Sequence, residues 1–251
     1  MNLLLLPGLL CDAALWAPIV PFGERLAESS VAKYADASSL TEMAERVLAD
    51  APSTFALAGH SMGGRVALEV LRRAPERVLK LALLDTGFRL RPAGAAGDDE
   101  KSRRLALLAL ARSQGMRAMA REWVRPMVHP DRVDDAPLIE AILDMFEQRT
   151  PDEFAGQIEA LLARPDATTL LRSITCPTLV LCGGDDGWST LRQHEEMAEL
   201  IPGATLAIVD RCGHMAPMEQ PAEVGTALAR WLAEPVRDSA TDSRMLPLQR
   251  A

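Results

Sequence analysis

Six residues, Gly59-His60-Ser61-Met62-Gly63-Gly64, constrain this chain more than any other stretch, because they join an apolar run at 54–58 to an amphipathic run at 65–73. The first run reads as a buried parallel strand. The second reads as a helix that ends before Pro75. A strand that passes at once into a helix must turn so sharply that the serine between them takes strained backbone angles with its hydroxyl exposed. Neighbours larger than glycine would collide there with the crossing backbone. Gly59 and Gly63 stand at the two crowded places, which makes Ser61 the candidate nucleophile.

A chain of 251 residues with 48% hydrophobic content can bury one large α/β core, with or without an inserted subdomain. The net charge of −8 argues against nucleic acid or an anionic membrane as partner, since both reward a clustered basic surface. A small-molecule substrate is expected instead, and the oligomeric state is open. The opening Met1-Asn2-Leu3-Leu4-Leu5-Leu6-Pro7 lacks a basic start and is broken by Pro7-Gly8, so it reads as a buried strand rather than a signal peptide. No stretch is long enough to span a membrane. Cys11, Cys176, Cys182 and Cys212 have neither metal-ligand spacing nor the density of a disulfide scaffold, which fits reduced thiols in a cytoplasm.

Short apolar runs at 3–6, 30–34, 54–58, 78–84, 178–182 and 205–209 are mostly separated by amphipathic stretches. This alternation predicts a parallel sheet with helices on both faces. The long gap has helical patterns at 101–113, 116–124, 137–148 and 152–162 but no strand. It reads as a helical cap, 88–173, inserted into a core made of 1–87 and 174–233. The polar tail 234–251 is expected to be mobile, and no function is assigned to it.

A serine needs a base, an orienting acid and donors for the developing oxyanion. His214, just past the last strand, is the candidate base, taking the Ser61 proton and returning it to the leaving group. His60 reads as a packed neighbour, and His129 and His194 as solvated. Asp186, immediately after the strand at 178–182, is the candidate acid, with Asp185 beside it and Asp85 at the end of the preceding strand as alternatives.

The order Ser61, Asp186, His214 and three separate motifs resemble those of the α/β-hydrolase fold with an inserted helical cap. The motifs are the glycine-flanked Ser61, the strand-end Gly183-Gly184-Asp185-Asp186, and Gly213-His214 followed by Glu219-Gln220-Pro221. The resemblance covers about residues 3–233. It implies oxyanion donors at the backbone N–H groups of Met62 and of Leu9. Leu9 follows Pro7-Gly8, where the family carries His-Gly, so the brace that histidine often supplies is absent. The family usually opens with two antiparallel strands, which are expected to be missing here; the sheet would then have about six parallel strands, with residues near Ala32 and Leu206 at the two edges.

Trp123, Trp188 and Met215 are the favoured candidates for an apolar substrate pocket, with Trp16, Met119, Met127 and Phe146 behind them. Arg89 and Arg91, at the entrance to the cap, read as solvated surface residues, with pairing to a substrate carboxylate as the alternative. No metal or organic cofactor is implied. The leading expectation is a small-molecule carboxylic ester hydrolase or lactonase working through a Ser61 acyl-enzyme. The alternatives are a C–C bond hydrolase of the meta-cleavage kind and a non-catalytic ligand sensor.

Overall fold

The computed structural model describes residues 1–34 and 36–236. The tail from 237 onward, for which mobility was expected, lies outside them. Six strands, β1 (Asn2–Leu6), β2 (Ser30–Val31), β3 (Phe55–His60), β4 (Val78–Leu84), β5 (Thr178–Gly183) and β6 (Thr205–Val209), form one sheet in the order β2-β1-β3-β4-β5-β6. Every pairing is parallel, as the alternation of runs implied, and β2 and β6 are the edges, as the resemblance implied.

The central strands are unbroken apolar runs because helices cover both faces of a parallel sheet, so that no position can turn to water. All six residues of β3 and all six of β5 are buried. Each fully buried Leu, Val or Phe side chain contributes about 1.5–3 kcal/mol relative to exposure. Helix α1 (Leu40–Asp50) packs on α2 (Met62–Arg73), which lies on β1, β3 and β4. Between β4 and β5 come α3 (Ala95–Gln114), α4 (Met116–Val124), α5 (Ala136–Glu147) and α6 (Pro151–Leu162). After β5, α7 (Leu191–Leu200) and α8 (Pro221–Ala233) complete the layers. Lys80 is an exception within β4. It is almost fully buried, yet its ammonium donates to the carbonyls of Trp231, Leu232 and Glu234 and so caps the end of α8.

Candidate active site

The strands all run the same way, so their carboxyl ends meet along one edge, and the backbone strain of the molecule collects there. The four non-glycine residues with positive φ among those described are Leu10 (62°), Ser61 (53°), Asp85 (46°) and Arg211 (50°). They follow β1, β3, β4 and β6 respectively. Such strain persists only where surrounding structure over-determines it. At Ser61 that structure is explicit: its N–H donates to Leu84 O at 2.9 Å and its carbonyl accepts from Thr86 Oγ1 at 2.6 Å. A Cβ on Gly59 would stand 2.4 Å from Gly63 O, and one on Gly63 only 2.0 Å from Leu6 O. The turn is therefore closed to any other residue at both places.

Ser61 Oγ lies 2.9 Å from His214 Nε2, and His214 Nδ1 lies 2.7 Å from Asp186 Oδ2. A carboxylate can only accept, so Nδ1 carries the hydrogen and Nε2 is left to accept from the serine hydroxyl. The other oxygen of Asp186 accepts from the N–H groups of Trp188 (2.8 Å) and Ser189 (3.0 Å). Burial alone would raise the pKa of Asp186, but His214 and these N–H groups outweigh it and hold the carboxyl below its ordinary value. Asp186 is thus an anion at neutral pH.

The other two aspartates stand elsewhere. Asp185 is half exposed, with its carboxylate 3.5 Å from His129 Nε2. Asp85 is fully buried; one oxygen accepts from Gly183 N–H at 2.8 Å while the other has no hydrogen-bond partner among the described residues. Burial, and then the charge of Asp186, push its pKa well above the carboxylate range. The structure brings Asp186, and neither of these, to His214.

His60 is buried, and its Nε2–H donates to the His214 carbonyl at 2.7 Å, so it buttresses the loop that carries the base. Burial, with His214 adding to it, lowers its pKa to about 3. His194 is not solvated. It is fully buried, accepts from Thr86 N–H at 3.0 Å through Nε2, and is kept neutral by burial. His129 is also largely covered, and its Nδ1 accepts from Asp131 N–H at 3.1 Å.

Leu9 and Met62 flank Ser61 at the mouth of the site. Neither N–H has a hydrogen-bond acceptor among the described residues. The loop bearing Leu9 lacks the family's histidine but is braced by groups that sequence reasoning did not find. Leu10 N–H donates to Gln157 Oε1 of α6 at 2.8 Å, and the Tyr34 hydroxyl donates to Pro7 O at 3.1 Å. Glu219 was likewise seen only as part of a motif. Its carboxylate accepts from the N–H groups of Gly213 (3.1 Å), Met215 (3.1 Å) and His129 (2.7 Å), which shapes the His214 loop.

The site opens into a cavity of about 640 Å³ between the sheet edge and the inserted helices. Trp123, Trp188 and Met215 line it together with Met127, Phe146 and Phe154, whereas Trp16 and Met119 do not. Trp188 stacks on Trp123 at 5.5 Å between ring centroids and leans over His214 at 5.0 Å. Cys11 lines the cavity too, but burial pushes its thiol far above the usual range, which removes it as a nucleophile. Arg89 and Arg91 turn away, toward Glu196 (3.1 Å) and Asp98 (3.8 Å). Among the described residues no cluster of side chains is arranged to hold a metal, and no helix is long and apolar enough to cross a membrane.

This architecture is shared with known proteins. A pimeloyl-[acyl-carrier protein] methyl ester esterase of Aromatoleum aromaticum is 28% identical over 239 residues, covering 88% of this chain and 93% of that protein. A 3-oxoadipate enol-lactonase of Acinetobacter baylyi is 27% identical over 164 residues, covering 65% of this chain. The chain spans less than two thirds of the length of some curated relatives, 58% in the case of that enol-lactonase. A thermophilic esterase of Thermogutta terrifontis, solved with malate bound, superposes with a TM-score of 0.80 at 28% identity, over 92% of this chain and 89% of that one. The model of the alpha/beta hydrolase family matches residues 3–227, a span that takes in the sheet, the inserted helices and the His214 loop alike. On that extent of agreement the chain belongs to the alpha/beta hydrolase family.

Proposed function

We propose that the chain hydrolyses carboxylic esters or lactones of small molecules, with Ser61 as nucleophile, His214 as general base and acid, and Asp186 as the orienting carboxylate. The observation that carries this reading is the unbroken relay of 2.9 Å and 2.7 Å from Ser61 through His214 to Asp186, opening on a cavity whose lining beside the serine includes Trp188 and Met215. As Ser61 attacks the carbonyl, its proton passes to His214 Nε2, and Asp186 stabilises the imidazolium. The N–H groups of Leu9 and Met62 receive the developing alkoxide, each worth about 10²–10³ in turnover by the usual cost of losing one donor. His214 then returns the proton to the departing alcohol, leaving an acyl-enzyme that water discharges by the same relay. Relatives named as a methyl ester esterase and an enol-lactonase support ester and lactone bonds as the target. A cytoplasmic setting, where the cysteines stay reduced, completes the reading.

The test is turnover of short p-nitrophenyl esters and simple lactones by wild type and Ser61→Ala, with an organophosphonate expected to add one mass equivalent at Ser61. Near wild-type turnover by Ser61→Ala would refute the mechanism. A ring-fission 2-hydroxy-6-oxo dienoate cleaved with a kcat/KM tenfold above the best ester or lactone, about 1.4 kcal/mol of transition-state preference, would move the assignment to C–C bond hydrolysis. Absence of turnover with retained ligand binding would move it to a sensor.

A further inference from the structure

Two parts of the cavity lining differ in chemistry. Beside Ser61 the lining includes the aromatic and thioether side chains of Trp188 and Met215, whereas Arg65, Arg104 and Arg164 form a separate cluster of the lining, gathered about the Arg89 carbonyl and Glu100, with exposed Arg103 also on the wall. Glu100 is the one carboxylate among the described residues that line the cavity. It is already engaged: its two oxygens accept from Arg164 at 2.7 and 2.8 Å, and one also accepts from Arg104 Nε at 3.0 Å. One negative charge shared between two guanidinium groups leaves that trio with a surplus positive charge.

Arg65 adds a second. No described carboxylate lies within ion-pairing distance of it, and its recorded hydrogen bond runs from Nη1 to the Arg89 carbonyl at 2.9 Å. Burial, then the nearby Arg164, lower its pKa, and the more distant Glu100 and Asp166 do not offset them. A buried charge of this kind is costly unless something pairs with it. Arg65 lies in the first turn of α2, four residues after Ser61, and its N–H donates to the Ser61 carbonyl at 3.4 Å, which ties its position to that of the serine. Nη1 is held by the Arg89 carbonyl and Nη2 packs against Gly87, where a Cβ would stand 2.5 Å away, so the guanidinium is fixed in place while no described carboxylate answers its charge.

Resting on the esterase reading above, we propose that this part of the cavity lining is a subsite for an anionic group, a carboxylate in the first place, borne by the substrate away from its scissile ester. Arg65 is its principal contact, and Arg104 and Arg164 supply the surrounding field. The substrate class is accordingly a half-ester of a dicarboxylic acid or a lactone carrying a carboxylate, not a neutral ester.

The experiment compares linear dicarboxylic acid monomethyl esters, from succinate to suberate, with their dimethyl esters. Wild type is expected to favour the monoester at one or more chain lengths by about tenfold or more in kcat/KM, mainly through KM. Arg65→Met should lower kcat/KM on the monoester at least tenfold more than on the dimethyl ester. Arg65→Gln keeps a donor for the Arg89 carbonyl and should do the same, which guards against a folding defect in the methionine variant. Calorimetric binding of the free diacids to Ser61→Ala tests the subsite without turnover, and their binding there is expected. The proposal is overturned if no monoester outperforms its dimethyl ester, if Arg65 variants lose both equally as a mere strut would, or if no diacid binds. Failure on p-nitrophenyl esters with diacid binding intact would instead strike the esterase reading and leave the subsite standing.

Discussion

Asp186→Asn is the sharpest single perturbation of the proposed relay, because the structure dictates how the new amide must sit. One oxygen of Asp186 accepts from two backbone N–H groups, of Trp188 and Ser189, so the asparagine carbonyl must take that place. Its NH2 then faces His214 Nδ1, across what was a 2.7 Å hydrogen bond from Nδ1–H to carboxylate. To accept from that NH2, the imidazole must give up its Nδ1 hydrogen and carry it on Nε2, where it opposes the Ser61 hydroxyl instead of receiving its proton. The wrong tautomer and the lost counter-charge together are expected to cost about 10⁴-fold in kcat, or about 5 kcal/mol of barrier, with the fold intact. Asp85→Asn is the control. Burial and the charge of Asp186 both favour the neutral form of Asp85, so a neutral isostere that still accepts from Gly183 N–H should lose less than about tenfold. Steady-state hydrolysis of p-nitrophenyl acetate, with circular dichroism to verify folding, measures both. A kcat for Asp186→Asn within about tenfold of wild type, or a larger loss at Asp85 than at Asp186, would refute the assignment of the acid.

Two further outcomes follow from the surroundings of the relay. Glu219→Ala would leave the N–H groups of Gly213, Met215 and His129 without their acceptor, at about 1–3 kcal/mol for each that stays buried; thermal melting should fall by several degrees together with kcat, and an unchanged Tm would count against the carboxylate's structural role. Acid should destabilise the fold beginning near pH 6.5, because the unfolded chain takes up a proton at His60 that the folded one refuses until about pH 3. Glu100, held at about 2 because Arg164 and Arg104 outweigh the effect of burial, adds a second loss as the pH falls below 4.5. Denaturant melts across this range should show a shallower acid slope for His60→Gln, and an unaltered slope would show that His60 does not contribute.

The strands and the relay were legible because both are written locally. A strand buried on both faces is a continuous apolar run, and the runs at 3–6, 78–84 and 205–209 become strands within a residue of those bounds. The run at 30–34 shortens to Ser30–Val31 as the chain leaves the sheet toward Tyr34, whose hydroxyl reaches Pro7 O. Helix α3 begins at Ala95 rather than 101, since its first turns are alanine, glycine and acidic residues with no apolar period to reveal them. Ser61, Asp186 and His214 each stand just beyond a strand, where parallel topology gathers them. What escaped was long-range satisfaction of buried polar groups. Gln157 meets Leu10 across 147 residues, and His194 meets Thr86 across 108. The charged neighbours of His194 point to solvent, and its burial is decided by a strand end far away in the chain.

The loop that presents His214 is fastened to the inserted segment above it. His214 N–H donates to Met127 O at 2.7 Å, Arg132 donates to the Glu219 carbonyl at 2.7 Å, and Glu219 in turn holds His129 N–H. The imidazole is thereby registered to the roof of the cavity as well as to its floor. Lifting Met127 by an ångström or two would break the bond to His214 N–H and loosen the loop that carries the base. The relay thus stands aligned before anything binds, and slow hydrogen exchange at the His214 and His129 amides, compared with α3, is where its coupling to the insertion would be read.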